Sequence, residues 1–210
     1  MRYALVNCSP KPKDSNSEYF LNLIQKLLDT KDDYILIDIK KSSSNTFEDM
    51  CNCDKIIFAS PIYVDSLPSN FLYFLMEFEA FLKNKPSKKI SIYSILNCGF
   101  YEGNQNKIAM EIIKNWCVRC GLQFNQGIGI GAGEMMGSIK DVPLGHGPTK
   151  NLGIALTVLK DNINKNLSGE DMYISPNFPR FLFLLSANRF WISKAKSNKI
   201  NKKDILTKLK

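Results

Sequence analysis

Short polar side chains and a lysine gather in one stretch of the chain, directly after its first strand-like run. They are Ser9, Lys11, Ser15, Asn16 and Ser17. A helical pattern follows at once, so the free N–H groups and the positive dipole end of a helix meet the same stretch. This combination predicts binding of a phosphate monoester. The spacing from Ser15 to Glu18 also fits a helix capping box, so a structural role for Ser15 stays open.

A second loop, beginning Ser60-Pro61-Ile62-Tyr63, follows the third strand-like run. Pro61 and Pro68 restrict the backbone of this loop. A flavin ring needs rigid backbone donors and acceptors beside its pyrimidine edge and an aromatic or apolar wall beside its plane. Ile62 and Tyr63 have the character of such a wall, although a packing role suits Tyr63 equally.

A third loop, Asn97-Cys98-Gly99-Phe100-Tyr101, follows the fourth strand-like run. Gly99 permits a close approach of backbone to a ligand. In an open parallel sheet, the loops that leave the carboxyl ends of neighbouring strands converge on one crevice. Three such loops can surround one planar, phosphorylated ligand, so the sequence predicts an FMN site.

Strand-like and helical patterns alternate along the chain and must position these loops. Apolar runs of strand length occupy 3–8, 34–39, 55–59, 90–96 and about 124–130. Helical patterns occupy 19–28, 71–82, 108–116 and 152–163, with a further short helix at 45–51. The alternation predicts an α/β, doubly wound, five-stranded parallel sheet with the flavodoxin-like order 2-1-3-4-5.

The alternation stops after residue 168, which predicts a flavodoxin-like domain over 1–168 and a C-terminal helical, basic extension over 169–210. Seven lysines and Asp204 give residues 194–210 a net charge of +6, out of +8 for the 210-residue chain. No nucleic-acid motif accompanies these lysines, so we expect no nucleic-acid partner. The apolar run 178–192 needs a cover, either its own domain, a dimer partner or a membrane surface. We favour the first two.

The start of the chain, its cysteines and its single histidine indicate a cytoplasmic protein without a bound metal. The start of the chain is too short and too strand-like for a signal peptide, and no apolar run has membrane-spanning length. The six cysteines form no small-scaffold framework, which is typical of reduced thiols. Cys117 and Cys120 have redox-motif spacing but close a helix, and His146 has no ligand partner at a suitable spacing.

A glycine-rich run at 127–133 formally fits the dinucleotide fingerprint through Gly127, Gly129 and Ala132. These residues lie in and after a late strand, whereas the fingerprint lies between a first strand and its helix. Close packing and a turn beside the pocket are therefore the preferred explanation.

The three loops together resemble those of the flavodoxin-like NAD(P)H-dependent FMN reductases and related flavin oxidoreductases. The resemblance covers nearly the whole chain. In that family, a Gly-Ser-Pro-Arg-type string with a following Asn-Ser/Thr holds the FMN phosphate. Here Asn7-Cys8-Ser9-Pro10-Lys11 with Asn16-Ser17 takes its place, with Cys8 instead of the usual glycine. The family's Ser/Thr-Pro-x-Tyr loop, which lines the isoalloxazine ring, is similar to 60–63, and its loop after the fourth strand is similar to 97–101.

The resemblance implies an FMN-dependent oxidoreductase that transfers hydride from NAD(P)H to flavin and then to a flavin, quinone or other small electrophilic acceptor. Because FMN supplies the chemistry, we expect no catalytic side chain. The resemblance also implies a homodimer. The alternative is a flavodoxin-like electron carrier that serves a protein partner. Such carriers tend to present an acidic docking face, and the basic composition of this chain favours the enzyme.

Overall fold

The computed structural model describes residues 1–29, 31–83 and 89–205. Within these residues, six parallel strands form one sheet in the order β2-β1-β3-β4-β5-β6. The strands are β1 (Arg2–Asn7), β2 (Asp33–Asp38), β3 (Lys55–Pro61), β4 (Ser91–Asn97), β5 (Gln123–Ile130) and β6 (Met172–Ile174). The predicted α/β flavodoxin-like order 2-1-3-4-5 is confirmed.

The predicted number of five strands is wrong by one, because β6 extends the sheet beyond β5. β6 has three half-buried residues, which pair with Ile128, Gly129 and Ile130. A strand this short has too few residues to show the period of two on which a sequence prediction depends. Residues 172–174, which the sequence assigned to the extension, therefore belong to the sheet.

Helices cover both faces of the sheet, as the doubly wound architecture requires. They are α1 (Asn16–Leu27), α2 (Ser44–Cys51), α3 (Ser69–Leu82), α4 (Lys107–Cys120), α5 (Gly133–Ser138) and α6 (Lys150–Lys165). Five of them lie where the periodicity predicted, and α5 is too short to have been predicted. α4 is capped at its C-terminal end by Gly121, whose φ of 65° is the left-handed conformation that glycine adopts most easily.

The core consists of two apolar clusters, one on each face of the sheet. Strand residues alternate between them: Val6 and Phe58 face α2, α3 and α4, whereas Leu5 and Ile57 face α1, α5 and α6. Because both faces are covered, the strands read as nearly continuous apolar runs. This is why the sequence located β1, β3 and β4 so readily.

The contacts divide the chain into two units, Met1–Pro176 and Asn177–Lys210. The second unit contains one long helix, α7 (Arg180–Ser197), and a short 3-10 helix at Lys202–Asp204. No described residue of this unit is buried. Lys208 and Lys210 of the predicted basic tail lie outside the described residues.

Candidate functional site

The first loop, residues 8–15, is held at both ends by the side chain of Asn7. Asn7 ends β1 and is buried, and its Oδ1 accepts hydrogen bonds from Ser9 N at 3.1 Å and from Ser15 Oγ at 3.4 Å. A single amide oxygen thus fixes the spacing between the two ends of the loop. The sequence analysis gave Asn7 no separate role, because its position within the strand predicts only burial.

The amino terminus of α1 opens directly onto this loop. Ser15 is the N-cap, and its Oγ accepts a hydrogen bond from Glu18 N at 3.1 Å, so Ser15 has the structural role that the sequence left open. Among the described residues, the first-turn N–H groups of Asn16 and Ser17 have no acceptor. Two free backbone donors at the positive end of a helix are suited to an anionic oxygen.

Lys40 contacts the opposite side of the same loop. Its Nζ donates to the carbonyl oxygens of Ser9 at 3.2 Å and of Lys11 at 2.6 Å, and it lies 3.1 Å from the Asp38 carboxylate. Binding these carbonyls restricts the loop backbone and places a positive charge against it. The side chain of Lys11 is exposed, so the lysine that contacts the loop is one that the sequence analysis did not identify.

Pairing of β1 with β2 explains how Lys40 reaches the loop. Asn7 and Asp38 are register partners at the ends of the two strands, so the residues just after them lie side by side. The two lysine contacts span 31 and 29 residues of sequence. No local motif indicates such a contact, whereas the strand order predicts that the two segments are neighbours.

Asn97 ties all three predicted loops together. Its side-chain Nδ2 donates to Ser60 O at 3.1 Å and to Ser17 Oγ at 3.3 Å. Its backbone carbonyl oxygen accepts a hydrogen bond from Ile62 N at 2.9 Å. Asn97, Ser60 and Ser17 are all buried. The ends of β3 and β4 and the start of α1 therefore form one hydrogen-bonded framework, with Asn97 at its centre.

The second loop makes a tight turn at residues 63–66. Tyr63 N donates to Ser66 O at 2.9 Å, and Ser66 N donates to Tyr63 O at 3.2 Å. Val64 and Asp65, between them, both have positive φ, 51° and 59°, which is the type I′ geometry. Val64 is almost fully exposed, and Tyr63 is half exposed beside it. The predicted ring wall thus consists of a buried Ile62 and an accessible Tyr63 on a rigid turn.

In the third loop, Cys98 supports the backbone from the core side. Its Sγ lies within hydrogen-bonding distance of Phe100 O at 3.6 Å and Glu102 O at 3.5 Å. Burial raises the pKa of this thiol, and Glu102 and Asp65 add smaller contributions in the same direction. Phe100 is exposed, whereas the Tyr101 hydroxyl donates to Pro176 O at 3.3 Å. Gly99 is also exposed, so Gly99 and Phe100 form the accessible part of this loop.

The glycine-rich run packs against this third loop. Gly133 N donates to Cys98 O at 2.7 Å, and Ala132 N donates to Phe100 O. A Cβ at Gly131 would overlap Tyr101 O, and one at Gly133 would lie 2.7 Å from Asn97 Oδ1. Close packing accounts for these glycines, as the sequence interpretation proposed.

Two further residues border the first loop and escaped the sequence analysis. Gly137 in α5 lies so close to Asn16 that a Cβ would overlap its side-chain oxygen. Asn70, near the start of α3, donates through Nδ2 to Cys8 O at 3.4 Å. Its Oδ1 is buried without a hydrogen-bond partner among the described residues. An unpaired buried acceptor is costly, so this oxygen is suited to a ligand donor.

The other sequence candidates acquire no functional contact. Burial raises the pKa values of the thiols of Cys117 and Cys120, the latter to about 11, which opposes a redox role. His146 Nδ1 lies 3.3 Å from Leu144 O in an exposed loop. Over the described ranges, no group of three or more metal-ligating side chains occurs. No helix in those ranges is long and apolar enough to span a membrane.

Comparison with solved structures finds proteins of similar fold. An NADPH-quinone reductase from P. pentosaceus superposes with a TM-score of 0.57 at 10% identity, over 80% of this chain and 100% of that one. An NADH:FMN oxidoreductase in its apo form gives 0.56 at 15% identity, over 80% and 91% of the two chains. An azoreductase from Bacillus anthracis gives 0.52 at 11% identity, over 80% and 100%.

These likenesses establish the fold. The chain has a flavodoxin-like α/β fold. No protein-family model matches the chain, and no curated protein matches it.

Proposed function

We propose that this protein is an FMN-dependent oxidoreductase that takes electrons from NAD(P)H and passes them to a flavin, a quinone or another small electrophilic acceptor. The observation that carries the proposal is the framework around Asn97, which joins the three predicted loops beside a helix amino terminus where the N–H groups of Asn16 and Ser17 have no acceptor among the described residues. The names of the solved neighbours, an NADPH-quinone reductase, an NADH:FMN oxidoreductase and an azoreductase, support the same class.

The residues present suit FMN in their hydrogen-bonding groups. The backbone N–H groups of Asn16 and Ser17, with the Ser9 hydroxyl, suit the phosphate, and Lys40, which is paired with Asp38, holds two carbonyl groups of the loop. The unpaired Oδ1 of Asn70 suits a ligand hydroxyl or N–H donor. The proposed cofactor contacts are Ser9, Lys11, Ser15, Asn16, Ser17, Ser60, Pro61, Ile62, Tyr63, Asn97, Cys98, Gly99, Phe100 and Tyr101.

FMN, when bound, supplies the redox chemistry by accepting a hydride and releasing electrons to the acceptor. The chain's own task is to hold and orient it. Asn7, Lys40 and Asn97 fix the loops before the ligand arrives, which lowers the entropy cost of binding. Tyr63 and Phe100 are the exposed aromatic side chains beside the site and offer apolar surface to a nicotinamide or a flat acceptor.

We place the enzyme in the cytoplasm as a homodimer. Six cysteines without a disulfide among the described residues suit a reducing compartment. Exposed apolar side chains on the outer faces of α3 and α4, such as Tyr73, Met76 and Val118, offer surface for a second copy.

An anaerobic visible spectrum tests the activity directly. The protein is reconstituted with FMN, desalted and mixed with NADPH or, in a matched cuvette, with NADH. Retained flavin that bleaches promptly supports the enzyme. Retained flavin that stays oxidised supports the electron carrier instead. An absence of any FMN affinity contradicts the assignment of the site.

A comparison of FMN with riboflavin tests the phosphate position. The two ligands differ only in the phosphate, so the helix amino terminus should favour FMN by about tenfold or more. Asn16→Asp adds a negative charge at that terminus and should weaken FMN binding while leaving riboflavin binding nearly unchanged. Asn22→Asp, on an exposed face of the same helix, is the matched control. Equal effects of both variants on FMN would place the phosphate elsewhere.

A further inference from the structure

We propose that the unit Asn177–Lys210, termed the C-terminal segment, binds the surface of lipid bilayers that carry anionic headgroups. The segment holds seven lysines, two arginines and one aspartate, a net charge of +8. The preceding 176 residues contain equal numbers of basic and acidic side chains. The entire net charge of the protein therefore resides in a segment that folds as its own contact unit.

The same segment exposes a large apolar surface. Residues 181–185 have the sequence Phe-Leu-Phe-Leu-Leu, and 190–192 have the sequence Phe-Trp-Ile. No residue of α7 is buried, and Phe181 and Trp191 are exposed to 70% and 67%. Apolar patches of this kind mark interaction sites. The run is shorter than the roughly 20 residues that a membrane-spanning helix needs, so it is too short to cross a bilayer.

Along α7, both apolar runs precede the lysines, and aromatic rings lie next to the first lysine. The rings of Phe190 and Trp191 make an edge-on contact, with centroids 5.4 Å apart. Lys194 Nζ lies 5.7 Å from the Phe190 ring centroid. Aromatic rings and lysines concentrate at the depth where acyl chains meet headgroups.

Two other partners fit the segment less well. A nucleic acid would neutralise the lysines but would leave Leu184 and Leu185 in water. A second copy of the segment would cover the leucines but would bring two +8 charges together. An anionic bilayer covers the apolar surface and neutralises the charge at once.

Cosedimentation of the full-length protein with vesicles tests the proposal without FMN or NAD(P)H, so the result is independent of the proposed activity. Vesicles of phosphatidylcholine and phosphatidylglycerol in a 7:3 ratio should bind the protein, and the binding should weaken as salt is raised. Vesicles of phosphatidylcholine alone should bind it far less. The emission of Trp191 should shift to the blue on binding, and Trp191→Phe should remove most of that shift.

Charge variants give the decisive comparison. Replacing Lys196, Lys199, Lys202 and Lys203 by Gln should weaken binding to the mixed vesicles more than 100-fold, because each lysine near an anionic surface contributes about fivefold. Replacing the exposed Lys26, Lys31, Lys107 and Lys150 by Gln changes the charge equally and should have little effect. Equal losses for both sets, no vesicle binding, or tighter binding to duplex DNA would each overturn the proposal.

Discussion

Replacing Lys40 by Gln should weaken FMN binding by loosening the first loop. Lys40 Nζ contacts Ser9 O at 3.2 Å and Lys11 O at 2.6 Å, and its side chain is 25% exposed. A hydrogen bond to a charged group contributes about 1.5–3 kcal/mol, and partial exposure reduces that value. We therefore expect a loss of about 1–2 kcal/mol, equal to a rise in the FMN dissociation constant of about 5- to 30-fold.

Lys41→Gln is the matched control, because Lys41 is an exposed neighbour with the same charge. Both variants are titrated with FMN by isothermal calorimetry, and their stability is measured by urea unfolding. If both dissociation constants rise equally, the effect is general electrostatics and the loop argument is wrong. If neither rises, Lys40 has no role in the site.

Three further results follow from close contacts and from pKa shifts. Gly137→Ala should displace Asn16 and weaken FMN binding in the same calorimetric titration, at a cost in stability of about 1–3 kcal/mol. Cys120 should react with iodoacetamide at pH 8 about a hundredfold more slowly than an ordinary thiol, because burial raises its pKa from 9.0 to about 11. The free energy of unfolding should fall more steeply between pH 10 and 12 in the natural protein than in Tyr34→Phe, as measured by urea unfolding, because burial raises the pKa of Tyr34 to about 12.

Each of these results has its own control. Gly99→Ala should leave stability nearly unchanged, since a Cβ there meets nothing within 4 Å, and an equal loss would remove the steric argument. Glutathione is the reference thiol for Cys120. If iodoacetamide alkylates Cys120 in the folded protein as fast as it alkylates glutathione, the argument from burial is wrong. The Tyr34 phenol ionises near pH 10 in the unfolded state but stays protonated in the folded state. Raising the pH above 10 therefore stabilises the unfolded state and lowers the free energy of unfolding. Parallel pH curves for the two proteins would contradict that linkage.

The sequence predicted those parts of the fold that depend on long apolar patterns. β1, β3 and β4 are buried on both faces, and their continuous apolar runs and following loops identified one edge of the sheet as the site. β6 and α5 are too short to carry a period, so they emerge only from the pairing and packing of longer elements. Local signals sufficed for the capping interaction of Ser15 but not for the strand that completes the sheet.

The site itself was predictable only in its outline. The three loops share a hydrogen-bond network, but the side chains that join them include Asn7, Lys40 and Asn70, which the sequence analysis did not single out. Lys40 reaches the loop only because β2 lies beside β1, and Asn70 only because α3 starts beside the end of β1. Contacts of this kind depend on which elements lie side by side in the folded protein, and the residue pattern of a single strand does not indicate that.

The short strand β6 decides where this protein can be shortened. Gly131 N donates to Ile174 O at 2.8 Å, the Tyr101 hydroxyl reaches Pro176 O, and Gly103 packs directly on Ile174. A protein ending at residue 168 would therefore lose the partner of its third loop along with the basic helix. One ending at 176 would keep these three contacts and would lose both the charge and the apolar residues of the C-terminal segment. Comparing the fragment that ends at 176 with the full chain would separate the proposed flavin site from the proposed surface binding.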